Sequence, residues 1–295
     1  MGISARVLAD STHRETRLIT LEVEFHRFIL SENNTHKAQS RNIQSSRAIP
    51  ILRQLEQISN EPAMPVEWRK NKSGMVAGEE MSEEETEKAK KVILWMRDCC
   101  VMGVKELHEI GLAKQWANRY VEPWMFTKGV VTATYKDWQA MFKLRTHYAA
   151  QPEIRELFEQ IRDAIEDSST QTLKEGEMHL PYVEQVEFPR SLYLSEVDRM
   201  SDMIKVSASC VAQVSYRRLD ASSEKADVVY KMLNLPENGV YPEDPPHFSP
   251  TEHIAMAKDN DGSLSGNFHS KDFVQYRKLL EKGVEKDYIE MGVGL

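Results

Sequence analysis

From Ile19 to His26 the chain alternates apolar and polar side chains, Ile19, Leu21, Val23 and Phe25 against Thr20, Glu22, Glu24 and His26. A period of two places the first set on one face, so the segment is a half-buried antiparallel strand whose apolar face needs a covering layer. Helices supply it. Ile154, Leu157, Phe158, Ile161 and Ile165 recur at helical spacing between Glu153 and Ile165, and Ala89, Val92, Ile93 and Met96 do the same after the acidic opening SEEETEKAKK. Further helices are expected at Ile51 to Ile58, around Val104 to Glu122, around Lys136 to Arg145, from Ser195 to Tyr216 and from Phe273 to Lys282. Polar or Pro/Gly-rich stretches at Glu61 to Gly78, Ser168 to Glu177 and PENGVYPEDPPHFSP separate these pieces. The class is therefore α+β, rich in helix, with a mixed or antiparallel sheet.

A chain of 295 residues with 41% hydrophobic composition can bury a large core, as one elaborate domain or two smaller ones. Its 38 Lys+Arg against 46 Asp+Glu leave a formal charge of -8, which argues against a broad footprint for duplex nucleic acid. An anionic small ligand would need local basic pockets. The three cysteines, Cys99, Cys100 and Cys210, form no Cys-x-x-Cys set, and the adjacent pair is poorly placed for a mutual disulfide, so a reducing compartment and no metal are expected. The start MGISARVLADS lacks a secretory apolar stretch, Arg6 stands where a myristoylation motif wants Ser or Thr, and no apolar run approaches a membrane span. These features predict a soluble cytoplasmic protein with neither a membrane nor a nucleic-acid partner.

Between Thr35 and Arg47 the sequence THKAQSRNIQSSR collects hydroxyl, amide and cationic donors without a single acid. Backbone N–H groups at a turn, Ser hydroxyls and Arg forks match the several oxygens of a phosphoryl group. A solvated polar loop has the same composition, and composition alone does not choose. Ser45 is not expected to be a nucleophile, since no His/Asp pair keeps a recognisable spacing to it.

Spacing adds what composition leaves open. Thr35-His36-Lys37, seven residues, then Ser45, with Ser40, Asn42, Ser45 and Arg47 in the register Ser-x-Asn-x-x-Ser-x-Arg, resembles the Arg-His-Arg signature of the flavin-dependent thymidylate synthases, the ThyX family. Thr35 and Lys37 replace the two arginines, so a planar fork becomes a point charge at one position and is lost at the other. Around Gln115 to Trp124, Arg119 keeps the family's spacing before proline and by resemblance binds nucleotide phosphate; alone it would be an exposed helical arginine. Trp138 to Arg155, WQAMFKLRTHYAAQPEIR, is similar to the family helix that carries Asn-x-x-x-x-Arg followed by Ala-Gln-x-Glu-Ile, with Arg145 at the Arg position. Arg145 shares helical spacing with Trp138, Met141 and Phe142, so its cation needs a partner, either an internal carboxylate or, by resemblance, the pyrimidine carbonyl. Ala140 replaces the family's flavin-side Asn, Ala149 stands where many members have His, and His147 is two residues off register.

Val211 to Tyr216 and His247-Phe248-Ser249-Pro250-Thr251-Glu252-His253 resemble the family's Ala-Arg-Val-Ser-Tyr and His-x-Ser-Pro-Phe-Glu-His. In typical members these precede the Arg-His-Arg segment; here they follow it, a rotated order consistent with chain termini lying close together. The resemblance implies a divergent, bacteriophage-type member with a single ThyX-like catalytic domain over 1–295: 1–60 with the strand and the nucleotide and flavin motif, 80–167 helical, and 178–295 with the His-x-Ser-Pro-x-x-Glu-His motif. It implies a homotetramer with shared active sites, in which methylenetetrahydrofolate, NADPH and FAD convert dUMP to dTMP at C5. Ser45, Arg47, Arg119 and Arg145 would bind substrate, with Arg145 catalytic, and His36, Lys37, Asn42 and His253 would bind cofactor. A relative that acts on dCMP or stops at hydroxymethyl, suited to a virus that modifies its DNA in the host cytoplasm, and a non-catalytic nucleotide-binding homologue are the alternatives.

Overall fold

The computed structural model describes residues 2–184, 186–215, 218–237 and 239–294. In chain order the regular elements are β1 Ser4–His13, β2 Thr16–His26, α1 Leu30–Asn33, β3 Ser40–Ile43, α2 Ile51–Asn60, α3 Glu83–Glu109, α4 Lys114–Ala117, β4 Phe126–Thr134, α5 Tyr135–Arg145 and α6 Pro152–Glu166. They continue with β5 Gln171–Thr172, β6 Met178–His179, α7 Glu196–Ala212, α8 Ser223–Met232, β7 Ala255–Ala257, β8 Phe273–Gln275, α9 Tyr276–Lys282 and α10 Glu285–Val293. The class is α+β with helix in the majority, as the patterns require.

Five strands form one sheet in the order β3-β4-β2-β1-β5, antiparallel except for the β1–β5 pair, and β6-β7-β8 form a second, antiparallel one. The expected strand is β2, and it lies in the middle of its sheet. β1 joins it through a two-residue turn, His13 pairing with Thr16, with Arg14 in the left-handed region at φ 50°. β4 pairs along the whole of β2, from Leu18 opposite Thr134 to His26 opposite Phe126. Its Val130, Val131, Thr132 and Ala133 are all buried, because a central strand is covered on both faces.

α5 and α6 cover one face of this sheet. Ile154, Leu157, Phe158, Ile161 and Ile165 of α6 pack with Trp138 and Met141 of α5 against Ile19, Leu21, Val23 and Phe25. Each such side chain contributes about 1.5–3 kcal/mol on full burial, so this layer is the main anchor of the helix that ends in Arg145. Pro152 at the first position of α6 sets its start. A second cluster gathers α7, β6, β7, β8, α9 and α10 around Ile204, Ala208, Ile254, Val274 and Leu279. The other face of the large sheet receives this part of the chain, Leu18 and Leu173 packing with Ala255, Ala257 and Phe273.

Two expected elements differ. α3 opens on a capping box between Ser82 and Glu85 and runs unbroken to Glu109, where Gly111 at φ 88° ends it. The helix expected around Val104 to Glu122 is therefore the end of α3 followed by α4 and a 3₁₀ segment, Asn118–Trp124. Phe273 to Lys282 begins as strand β8 and becomes helix only at Tyr276. Among the described residues no helix is long and apolar enough to cross a membrane.

Candidate active site

Arg145 occupies the last position of α5, one turn beyond the buried Trp138 and Met141, so the core fixes its backbone while its side chain reaches the loop before β3. There its Nε donates to His36 Nε2 at 2.9 Å, and its Nη2 donates to Thr35 Oγ1 at 3.0 Å and to the Glu32 carbonyl at 3.1 Å. No carboxylate pairs with it among the described residues. Burial, the neighbouring Arg145 and Arg41 push the His36 pKa down to about 4, so the ring is neutral and, with Nε2 accepting, carries its proton on Nδ1. Arg145 also lines a cavity of about 680 Å³ with Glu32, Tyr148, Glu153 and Arg155. Thr35 thus stands as an acceptor for a guanidinium where a second guanidinium would repel it.

β3 carries the next group. Asn42 Nδ2 donates to the Val211 carbonyl at 2.7 Å, and Ser249 Oγ donates to Asn42 Oδ1 at 2.9 Å. Both ends of one buried amide therefore hold the segments 211 and 247–253 onto the strand. Gln275 Nε2 donates to Ser40 Oγ at 3.3 Å and to the Glu252 carbonyl at 3.0 Å, and Arg277 pairs with the Glu252 carboxylate while lying over the Phe248 ring. His253, in the 3₁₀ turn Ser249–His253, is fully buried; its Nδ1 meets Thr132 Oγ1 at 2.8 Å and its Nε2 has no partner among the described residues. Burial, with His179 nearby, takes its pKa to about 3. Gln39, just before β3, is buried, and neither of its amide atoms has a partner among the described residues.

A third group surrounds the turn after β3. Glu122 Oε1 accepts from Ser46 Oγ and from Arg119 Nη1, both at 2.7 Å, with Arg27 Nε at 3.6 Å. Asn118 Nδ2 donates to the carbonyls of Ser46 and Ile49, and Arg27 Nη1 to that of Gln44, which shapes the turn that presents Ser45 and Arg47. Ser45 is half-buried with its Oγ accepting from Arg47 N, whereas the Arg47 side chain and Lys37 are exposed and bond to no described residue.

Of the residues singled out in the sequence, His36 meets Arg145, Asn42 meets the segment that carries His253, and Arg119 meets Glu122, which also holds Ser46 between Ser45 and Arg47. Lys37 joins none of these groups, and no hydrogen bond links the Arg145 group to the Glu122 group among the described residues. Tyr216, at the end of the Val211 motif, lies outside the described residues. Sequence reasoning missed Glu122, Asn118 and Arg27, which organise the turn, and Thr132 and His179 behind His253. Among the described residues no group of three or more His, Cys, Asp or Glu is arranged to hold a metal.

The family model described as thymidylate synthase complementing protein matches residues 8–168, more than half of the chain. The chain belongs to that family. The match takes in the Arg145 and Glu122 groups and β3, and it stops before the segment that contributes Ser249 and His253. Among solved structures the chain is similar to the UMP/dUMP methylase PolB from Streptomyces cacaoi bound with 5-Br UMP, at 14% identity and a TM-score of 0.45, over 55% of this chain and 88% of that one. It is also similar to thymidylate synthase X from Helicobacter pylori with FAD and dUMP, at 18% identity and a TM-score of 0.35, over 50% of this chain and 67% of that one. A comparison with curated proteins finds no match.

Proposed function

We propose that this member of the family is a flavin-dependent thymidylate synthase that methylates dUMP at C5, with methylenetetrahydrofolate as one-carbon donor and NADPH as reductant. The observation that carries the proposal is the bond between Arg145 and His36: two motif segments 109 residues apart meet at the mouth of one cavity, with an uncharged ring accepting from the guanidinium.

The residues present fit an FAD. His253 Nε2 and the Gln39 amide are buried without partners among the described residues, and Lys37 and the Nδ1–H of His36 remain as donors, so polar groups of a ligand can pair with them. His36, Lys37, Asn42 and His253 would hold it, Asn42 by anchoring the segment that carries His253. FAD would supply the hydride that completes the methyl group. The chain itself positions and stabilises: Ser45, Arg47 and Arg119 fix the nucleotide phosphate on the turn organised by Glu122. Arg145 offers its fork to negative charge developing on the pyrimidine, a weak nucleophile at C5. The catalytic domain spans 1–295, and its active sites are shared within a homotetramer.

Incubating the purified protein with dUMP or dCMP, methylenetetrahydrofolate, FAD and NADPH, and identifying the product by mass, tests this directly. Methylated dUMP is the expected product. Modified dCMP or a hydroxymethyl product would replace the substrate or the end point, and a colourless protein that FAD cannot reconstitute would remove the flavin reading.

A further inference from the structure

Behind His253 a line of hydrogen bonds crosses the sheet. His253 Nδ1 meets Thr132 Oγ1 at 2.8 Å, Thr132 Oγ1 meets Thr20 Oγ1 at 2.7 Å, Thr20 Oγ1 meets His179 Nε2 at 2.8 Å, and His179 Nδ1 meets Ser11 Oγ at 2.9 Å. Thr20, Thr132, His179 and His253 are completely buried, and Ser11 is nearly so, at the wall of a cavity of about 750 Å³ between β1 and the 168–171 stretch. Both imidazoles are neutral, burial holding each pKa near 3.

The four contacts need one proton each, and each neutral ring and each hydroxyl has one proton to give. Four arrangements make all four bonds, each leaving outside the line the proton of one member, His253, Thr132, Thr20 or Ser11. In the first, Ser11 donates to His179 Nδ1, His179 Nε2–H donates to Thr20, Thr20 donates to Thr132 and Thr132 donates to His253 Nδ1, which leaves the His253 proton on Nε2. In the other three His253 donates through Nδ1, so its Nε2 becomes a bare buried acceptor, and the hydroxyl proton of Thr132, Thr20 or Ser11 has no acceptor among the described residues. Each buried polar group left unsatisfied costs about 1–3 kcal/mol, and the first arrangement leaves one, the Nε2–H, where each of the others leaves two, so the first prevails.

We propose that His253 meets its ligand as a hydrogen-bond donor through Nε2–H, and that Thr132, Thr20, His179 and Ser11 are positioning residues that hold it in that tautomer. The group it meets is an acceptor, a carbonyl oxygen or an unprotonated ring nitrogen. The inference rests on reading His253 as a cofactor contact only for the identity of that ligand. The tautomer itself belongs to the protein alone. Thr20 lies two bonds along the line from His253 and does not touch it, so a change felt at His253 when Thr20 is altered separates a connected line from a set of independent contacts.

The test is the ring-nitrogen spectrum of the full chain labelled with ¹⁵N-histidine, with His253 assigned by His253→Gln. Wild type is expected to show both His179 and His253 as Nε2–H tautomers from pH 5 to 8. Thr20→Val and Thr132→Val should turn the His253 signal into a mixture of tautomers while the amide spectrum stays dispersed, and Thr20→Ser and Thr132→Ser should restore the single form. An Nδ1–H tautomer at His253 in wild type would overturn the proposal, as would a His253 signal indifferent to Thr20→Val. Titration of the same samples with FAD reads the other half: if the tautomer is as expected and FAD does not bind, the positioning line stands and the flavin reading falls.

Discussion

The Nε of Arg145 donates to Nε2 of His36 at 2.9 Å, although 109 residues separate them. Burial, with the charges of Arg145 and Arg41 beside it, keeps the ring uncharged down to a pKa of about 4, and the pair carries one positive charge at neutral pH. Two further bonds, to Thr35 Oγ1 and the Glu32 carbonyl, complete a socket of neutral acceptors. A guanidinium so held is in direct contact with no carboxylate among the described residues, so its charge is not tied up in an ion pair, although Glu32 attracts it from the same cavity.

Arg145→Lys keeps the charge and loses the fork, since an ammonium cannot reach three acceptors in one plane. Hydrogen bonds from a charged donor are each worth about 1.5–3 kcal/mol, and the ammonium can keep one of them, so the fold should survive with flavin bound. Turnover should fall by about 100-fold, the usual cost of removing a preorganised donor from a transition state. Wild-type kinetics, or an unfolded protein, would make Arg145 a structural residue.

Arg119 is half-exposed and shares Glu122 with Ser46, so its ion pair adds at most about 1 kcal/mol to stability. Arg119→Lys should therefore leave the melting temperature nearly unchanged and raise KM for the nucleotide, with a smaller effect on kcat. A fall in kcat at constant KM would move Arg119 from the phosphate to the chemistry.

What could be read in advance follows from where each signal resides. α6 and β2 carry their own periodicity, and His36, Asn42, Arg145 and His253 belong to spaced motifs. β1 was hidden because its turn is Arg14-Glu15, without the Asn-Gly or Asp-Gly that announces a hairpin, and β4 because a strand covered on both faces does not alternate. Gly111 marks the end of α3, yet the apolar residues on either side keep helical spacing and suggest one helix through it. Glu122 and His179 acquire their roles only when distant segments fold together, and nothing adjacent to either in the chain records it.

Asn42→Ala removes the amide that holds both Val211 and Ser249, so the Val211 carbonyl and the Ser249 hydroxyl each lose one partner, the hydroxyl keeping His247. The expected cost is about 1 kcal/mol for each bond lost, read as a lower melting temperature. Flavin should be lost as well, because the segment with His253 is released from β3. If Asn42→Ala and His253→Ala both keep FAD at wild-type affinity by absorbance titration, neither residue belongs to the flavin site.

His179 and His253 make the fold sensitive to acid. Burial lowers both from an ordinary value near 6.5 to about 3, so the unfolded chain binds protons that the folded chain refuses. Their stabilising effect is complete above pH 6.5 and declines as pH falls toward 3. Denaturant titrations at pH 7, 6 and 5 should show this decline, and His179→Gln should make it shallower. An unchanged slope in that variant would mean that His179 does not stay neutral in the folded protein.

α3 is about 40 Å long by its 27 residues, yet only Val101 and Val104 are buried against the rest of the chain. Val92, Trp95, Met96 and Met102 are exposed along it, Trp95 by 65%, and Trp116 and Tyr120 are exposed beyond its end. Exposed apolar side chains recurring along one helix mark an association site, and a Trp among them has the character of an interface anchor. The proposed homotetramer gives that surface a partner. Light scattering at micromolar concentration should show the tetramer, and Trp95→Glu should yield a smaller species that keeps its circular dichroism and loses turnover. A wild-type monomer with full activity would show that one chain suffices and that the exposed face of α3 serves some other purpose.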